Sequence, residues 1–278
     1  MMHLFQSSFI YHFIILLFVW SIVFSFIDFI DSNKIANQLA FYLLGIVWLF
    51  STFFICYTLF KTGFYSLISS GEGLYVYVWS VITISLIINR VVKLDYLVFF
   101  TNVVAFLVFA LSILVPRVGK TALLLNQLKS DLLYIHIGLA FIAYGSFTLS
   151  FIFSVMYLFQ YKLLKKKKWS VHLRKLGNLA KLEKMVYLCN LIGIPFLITA
   201  LILGSIWASI RIHSFVWYDP KVIGSFFVLL MYGAFMFLKV RNYLYGRTLT
   251  IYNICCFLLL LGNYILLNFY SSFHIWNI

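Results

Sequence analysis

Charge is what this chain most lacks. Only 10% of its 278 residues are Asp, Glu, Lys or Arg, against about 25% in soluble proteins. An ordinary soluble domain is excluded. The seven acids, Asp28, Asp31, Glu72, Asp95, Asp131, Glu183 and Asp219, all fall at or near the ends of apolar runs. Ion-coupled transporters and proton pumps keep ionisable groups inside their spans, so this placement weighs against coupled transport. The three prolines are equally sparing: Pro116 and Pro220 sit at the ends of apolar runs, and Pro195 falls inside one, where it should kink a helix or be accommodated by its neighbours. Cys56, Cys189, Cys255 and Cys256 form no C-x-x-C pair, so neither a thiolate metal site nor a covalently attached haem is encoded. They are expected to be buried structural thiols. No internal repeat is evident.

Hydrophobic residues take the place of charge, at 64% of the chain, with 31 Phe, 19 Tyr and 7 Trp among them. The solvent is therefore lipid. A spanning helix needs about 20 mainly apolar residues, and the apolar runs give eight spans, at about 7–29, 36–60, 74–89, 95–115, 132–160, 186–210, 222–238 and 250–271. The expected fold is an all-α, polytopic membrane helix bundle, a single integral membrane domain over 1–278. Little chain is left for a soluble catalytic domain, and the protein is not expected to be an enzyme. The first run, Phe9 to Ile30, lacks the basic start and the small-residue cleavage site of a signal peptide, so it should remain as the first span.

Eight spans place the loops on alternating sides, and the Lys/Arg balance orients them. One side carries Lys34, Arg90, Lys93, the nine basic residues between Lys162 and Lys184, Lys239, Arg241 and Arg247, fifteen in all; the other carries Lys61, Arg117, Lys120, Lys129, Arg211 and Lys221. The richer side is cytoplasmic, so both termini should lie outside. The run Lys165–Lys168 reads as a juxtamembrane polybasic segment that touches anionic lipids, with a cytoplasmic protein partner as the second reading and nucleic acid not expected. Arg117 to Asp131 is expected to include a short helix on the outer surface.

The histidines are distributed unevenly. His3, His12, His136, His213 and His274 fall on or near the outer side, and only His172 lies in the cytoplasmic loop. His136 stands in the outer turns of a long apolar span, and His274 follows the last one. Two imidazoles at one depth can hold one haem iron axially, which makes His136 and His274 the candidate metal ligands. The outer loop Arg211 to Lys221 contains Trp217, Tyr218, Asp219 and Lys221. Flat rings beside cations suit a porphyrin and its propionates, while Trp and Tyr beside a span also form ordinary aromatic belts. Composition does not separate these two readings.

These residues resemble a family, the polytopic haem-handling proteins of cytochrome c assembly of the CcsA/CcmC type, and within it the HemX-like branch. Such proteins carry a tryptophan-rich outer segment ending W-D-P-K between two outer histidines. Here the segment is Trp217-Tyr218-Asp219-Pro220-Lys221, with His136 and His274 in the flanking positions. One Trp remains, with Val216 and Tyr218 where Trp is usual and Val222 where Glu is usual. Glu72, followed by Leu74, Tyr75 and Trp79, looks like the family's E-x-L-x-F-x-x-W stretch. The branch likeness is closest in Tyr144 to Phe147, Leu163 to Trp169, Leu179 to Glu183 and Trp217 to Lys221.

The resemblance implies a multi-pass protein of the bacterial cytoplasmic membrane that handles non-covalent haem b through His136, His274, Trp217, Tyr218, Asp219, Lys221 and Glu72. It also implies a role in haem biosynthesis, limiting the amount of glutamyl-tRNA reductase, with the Lys162 to Lys184 loop available to a cytoplasmic protein. The competing expectations are a cytochrome c assembly factor presenting haem outside and a transporter of haem or another small molecule.

Overall fold

A polypeptide in hydrocarbon must satisfy its backbone internally, and a chain of apolar runs does so as helices. The computed structural model describes residues 2–62, 70–92, 96–114, 130–167, 175–212 and 220–265. Eight long helices occur at the eight expected places: α1 (Met2–Asp31), α2 (Lys34–Thr62), α3 (Ser70–Val92), α4 (Leu97–Leu114), α5 (Asp131–Lys165), α6 (Leu179–Ile212), α7 (Pro220–Val240) and α8 (Gly246–Ile265). Among the described residues there is no strand. Six of the helices, α1, α2, α3, α5, α6 and α7, are long and apolar enough to cross a membrane. In α4 the apolar stretch Leu97–Ala110 is shorter.

The connections from α1 to α2 and from α7 to α8 are tight, and local chemistry sets them. After α1, Ser32 adopts a left-handed φ of 55° and Asn33 caps α2, its Oδ1 accepting from the backbone N–H of Ile35 at 2.9 Å. Asn178 caps α6 in the same way through Ala180. At the end of α7, Asn242 is left-handed with φ 55°, and the Tyr243 and Asn242 N–H groups return to the Leu238 and Lys239 carbonyls. That pattern is the Schellman closure of a helix.

The chain forms two compact units. The first comprises residues 1–116 with 168–177, hence α1 to α4, and the second comprises residues 117–167 with 178–278, hence α5 to α8. Each unit follows the same plan of helix neighbours: first on second, third on fourth, first on fourth, second on third, and second on fourth.

The correspondence extends to side chains. In the first unit Asn102 of α4 donates to both Ser21 and Ser25 of α1, at 2.8 and 3.0 Å, and Ser21 donates to the Ala40 carbonyl of α2 at 2.9 Å. In the second, Asn253 of α8 donates to both Ser150 and Ser154 of α5, at 3.0 and 2.9 Å, and Ser150 donates to the Val186 carbonyl of α6 at 3.2 Å. The later serine of each pair returns to the carbonyl of the earlier one.

The sequence around each clamp repeats as well. Phe18-Val19-Trp20-Ser21-Ile22-Val23-Phe24-Ser25 matches Phe147-Thr148-Leu149-Ser150-Phe151-Ile152-Phe153-Ser154 as F-x-x-S-x-x-F-S. Asn102-Val103-Val104-Ala105-Phe106-Leu107 matches Asn253-Ile254-Cys255-Cys256-Phe257-Leu258 as N-x-x-x-F-L. This corrects the expectation that no repeat is present. The repeated positions are few and lie among interchangeable apolar residues, so they stand out only once hydrogen bonds single them out.

The cores are mostly aromatic and aliphatic, with Phe18, Phe109 and Tyr75 in the first unit and Phe147, Tyr232 and Phe257 in the second. Large apolar side chains such as Leu49, Phe53, Phe60 and Leu230 stay exposed; in a bilayer these face hydrocarbon. The cysteines divide evenly, with Cys189 and Cys256 buried and Cys56 and Cys255 exposed on helix surfaces. Burial of all four is therefore corrected: an exposed thiol in lipid carries no solvation penalty.

Candidate functional site around His136

In the second unit α5 and α6 pack antiparallel over most of their length, and both are long. Their 35 and 34 residues span about 50 Å at 1.5 Å per residue, against a hydrocarbon core of about 30 Å. Pro195 has no N–H for the Leu191 carbonyl, yet α6 runs unbroken past it, and the Pro195 carbonyl accepts from Thr199 Oγ1 at 2.8 Å.

His136 lies in the second turn of α5, at the end opposite Lys162 and Lys165. The ring is half-buried and turned against α6, where Nδ1 lies 2.5 Å from the Ala200 carbonyl oxygen. A carbonyl can only accept, so Nδ1 carries the proton and Nε2 of the neutral ring carries the lone pair. The ring fits there because residue 204, one turn beyond Ala200, is glycine: a Cβ at that position would meet His136 Cε1 at 2.7 Å. Lys221, in the first turn of α7, lies within electrostatic reach of the ring. Half of a metal-ligand arrangement is thus built: an imidazole with one nitrogen held by a backbone acceptor and the other left basic, the usual state of a protein-bound ligand histidine.

Among the sequence-designated residues, Lys221 falls within electrostatic reach of His136. Glu72 lies in the first turn of α3, in the other unit. His274, Trp217, Tyr218 and Asp219 lie outside the described residues. Among the described residues no three His, Cys, Asp or Glu side chains form a cluster able to hold a metal ion. A neutral imidazole nitrogen within electrostatic reach of a cation fits haem. Sequence reasoning missed Gly204 and the Ala200 carbonyl. The available signal was a spacing: Gly193 and Gly204 are eleven residues apart on α6, as His136 and Phe147 are on α5.

With eight long helices among the described residues and an imidazole prepared at one end of its longest helix pair, the protein is of the polytopic membrane class. Residues 67–275 match the family model described as cytochrome C assembly protein, and the chain belongs to that family. It is similar to Protein HemX of Bacillus subtilis (strain 168), 43% identical over 260 residues that cover 94% of each chain. It is likewise similar to Protein HemX of Brevibacillus brevis, 37% identical over 272 residues covering 98% of this chain and 99% of that one. A more distant likeness, 22% over 240 residues, covering 76% of this chain and 73% of the other, is to Cytochrome c biogenesis protein CcsA of Trieres chinensis. The chain is a HemX-like, multi-pass membrane protein.

Proposed function

We propose that this HemX-like protein binds haem b non-covalently at the His136 end of its second unit and, without being an enzyme, limits the amount of glutamyl-tRNA reductase. The observation that carries the binding half is the His136 ring, with Nδ1 engaged by Ala200 and Nε2 left as a donor to metal. Haem, when bound, supplies an iron that accepts imidazole nitrogen. His136 and His274 would be the residues that hold it. Lys221 would pair with a propionate, a charge-assisted bond of the stronger kind; Trp217, Tyr218 and Asp219 would be its further partners, and Glu72 belongs to the family's other motif. The regulatory half rests on similarity to the two HemX proteins across almost the whole chain. The Lys162 to Lys184 loop is the surface offered to anionic lipid and to a cytoplasmic partner.

Absorption spectra of the detergent-purified protein titrated with haem test this reading. Wild type should develop the paired bands of six-coordinate haem and His136→Ala should not, while both unfold at the same temperature. A featureless wild-type spectrum after haem addition sinks it. A second reading, presentation of haem to an apocytochrome at the outer face, is favoured by the family match over 67–275. Deleting the gene separates the two: loss of cytochrome c supports assembly, and a rise in glutamyl-tRNA reductase with cytochrome c intact supports regulation.

A further inference from the structure

Two rings on α5 are seated on glycines of α6. A Cβ at Gly204 would lie 2.7 Å from Cε1, 2.8 Å from Nδ1 and 3.3 Å from Nε2 of His136, and one at Gly193 would lie 2.7 Å from Cε1 of Phe147. Both pairs are eleven residues apart, three helical turns, so the two glycines face α5 along one line of α6. Glycine inside a helix costs about 1 kcal/mol relative to alanine, and in membranes small residues occupy the places where a neighbouring helix comes close. The two seats differ in what they receive. Phe147 is fully buried and stacks on Tyr232, ring centroids 3.9 Å apart, which is core packing. His136 gains a directed bond to the Ala200 carbonyl, which packing alone does not require.

We propose that Gly204 is a positioning residue for His136: the missing side chain lets the imidazole lie against α6, bond the Ala200 carbonyl through Nδ1–H, and keep Nε2 as the one nitrogen able to bind a ligand. This rests on the haem reading only for the identity of what Nε2 binds. Any residue larger than glycine at position 204 displaces the ring rather than the helix, because the atoms it meets are the far end of a side chain. The bond to Ala200 is then lost and the two tautomers become comparable.

The test uses the full chain with 15N-labelled histidine in detergent micelles, without haem, at a pH where the ring is neutral. The His136 resonances are assigned by their disappearance in His136→Gln. Wild type should show a protonated Nδ1 and an unprotonated Nε2, Gly204→Ala should show mixed tautomers, and Gly193→Ala should leave His136 as in wild type. Haem titration should then give about tenfold weaker binding for Gly204→Ala, the lower end of losses when a ligand histidine's supporting bond is removed, with little change for Gly193→Ala.

A protonated Nε2 in wild type overturns the proposal even if Gly204→Ala fails to fold. Equal tautomer shifts in Gly193→Ala and Gly204→Ala also overturn it, by reducing Gly204 to packing. The haem reading fails separately. If wild type has the expected tautomer yet binds no haem, the positioning stands and the ligand is wrong; if Gly204→Ala binds haem as wild type does, the positioning falls and the haem reading stands.

Discussion

At Asn102 and Asn253 one amide holds two hydroxyls on a neighbouring helix, and in lipid such a bond has no water to compete with it. Interhelical hydrogen bonds in membranes average about 0.6 kcal/mol and reach about 1.7. Two bonds lost together should therefore cost about 1–3 kcal/mol. Asn253→Ala and Asn102→Ala are each expected to lower the thermal unfolding midpoint in detergent, whereas Asn37→Ala, which lies outside both clamps, should leave it unchanged. If neither variant moves the midpoint, the clamps are not stabilising. These asparagines were not legible as partners, since a lone Asn in an apolar run looks the same whether it faces a serine or a headgroup. His136 was legible for a related reason: a ring of that polarity inside a span needs something to bond to. Its acceptor, a backbone carbonyl, leaves no trace in sequence.

Among elements, the eight helices were readable because hydropathy reports which stretches must satisfy their backbones alone. Their ends were not. α3, expected over 74–89, runs Ser70–Val92, and α6, expected over 186–210, runs Leu179–Ile212. A helix outlasts its apolar core when its flanks are good helix formers whose long basic side chains reach water, and here Asn178 caps the extra turns of α6. The other long-range feature is ionic. Lys175 pairs with Asp28 of α1 at 2.5 Å, with side chains 10% and 4% exposed, and its Nζ also lies 5.5 Å from the Tyr96 ring. Residues 175–177 are thereby anchored in the first unit, with Leu176 buried beside Lys175. Removing one partner of a buried pair costs about 3–5 kcal/mol, whereas replacing both with apolar groups costs far less. Asp28→Asn and Lys175→Met should each lower stability by that order, and the double variant should recover much of the loss. Additive single effects in an unfolding titration would mean that the two charges act independently. Glu183 and Lys239 form a more exposed pair between α6 and α7, for which the same cycle should give less than about 1 kcal/mol.

For the whole molecule, two questions remain to be put to cells: which side the basic loop faces, and whether that loop or the histidine end carries control. The fifteen-to-six division of Lys and Arg predicts that the Lys162–Lys184 loop faces the cytoplasm and both termini the outside. In a background with all four cysteines replaced, a cysteine at Lys166, which is exposed, should react with a membrane-impermeant thiol reagent only after the cells are opened. Reaction in intact cells reverses the orientation. With sides assigned, the regulatory proposal divides in two. If haem at the histidine end controls the level of glutamyl-tRNA reductase, His136→Ala should raise the reductase to the level of a deletion strain, and Gly204→Ala should raise it part of the way. If the cytoplasmic surface alone carries control, His136→Ala should be silent, and neutralising Lys165 to Lys168 with glutamine should raise the reductase. The comparison needs equal amounts of each variant in the membrane, measured by immunoblot, because a basic run that orients the chain can also change how much is inserted. Loss of control in both sets, at equal abundance, would connect the two ends of the second unit through α5 and α6, whose paired length joins the His136 turn to Lys165 without a break. A reductase level that no variant and no deletion changes would remove regulation from the proposal and leave haem binding to be explained by the assembly reading.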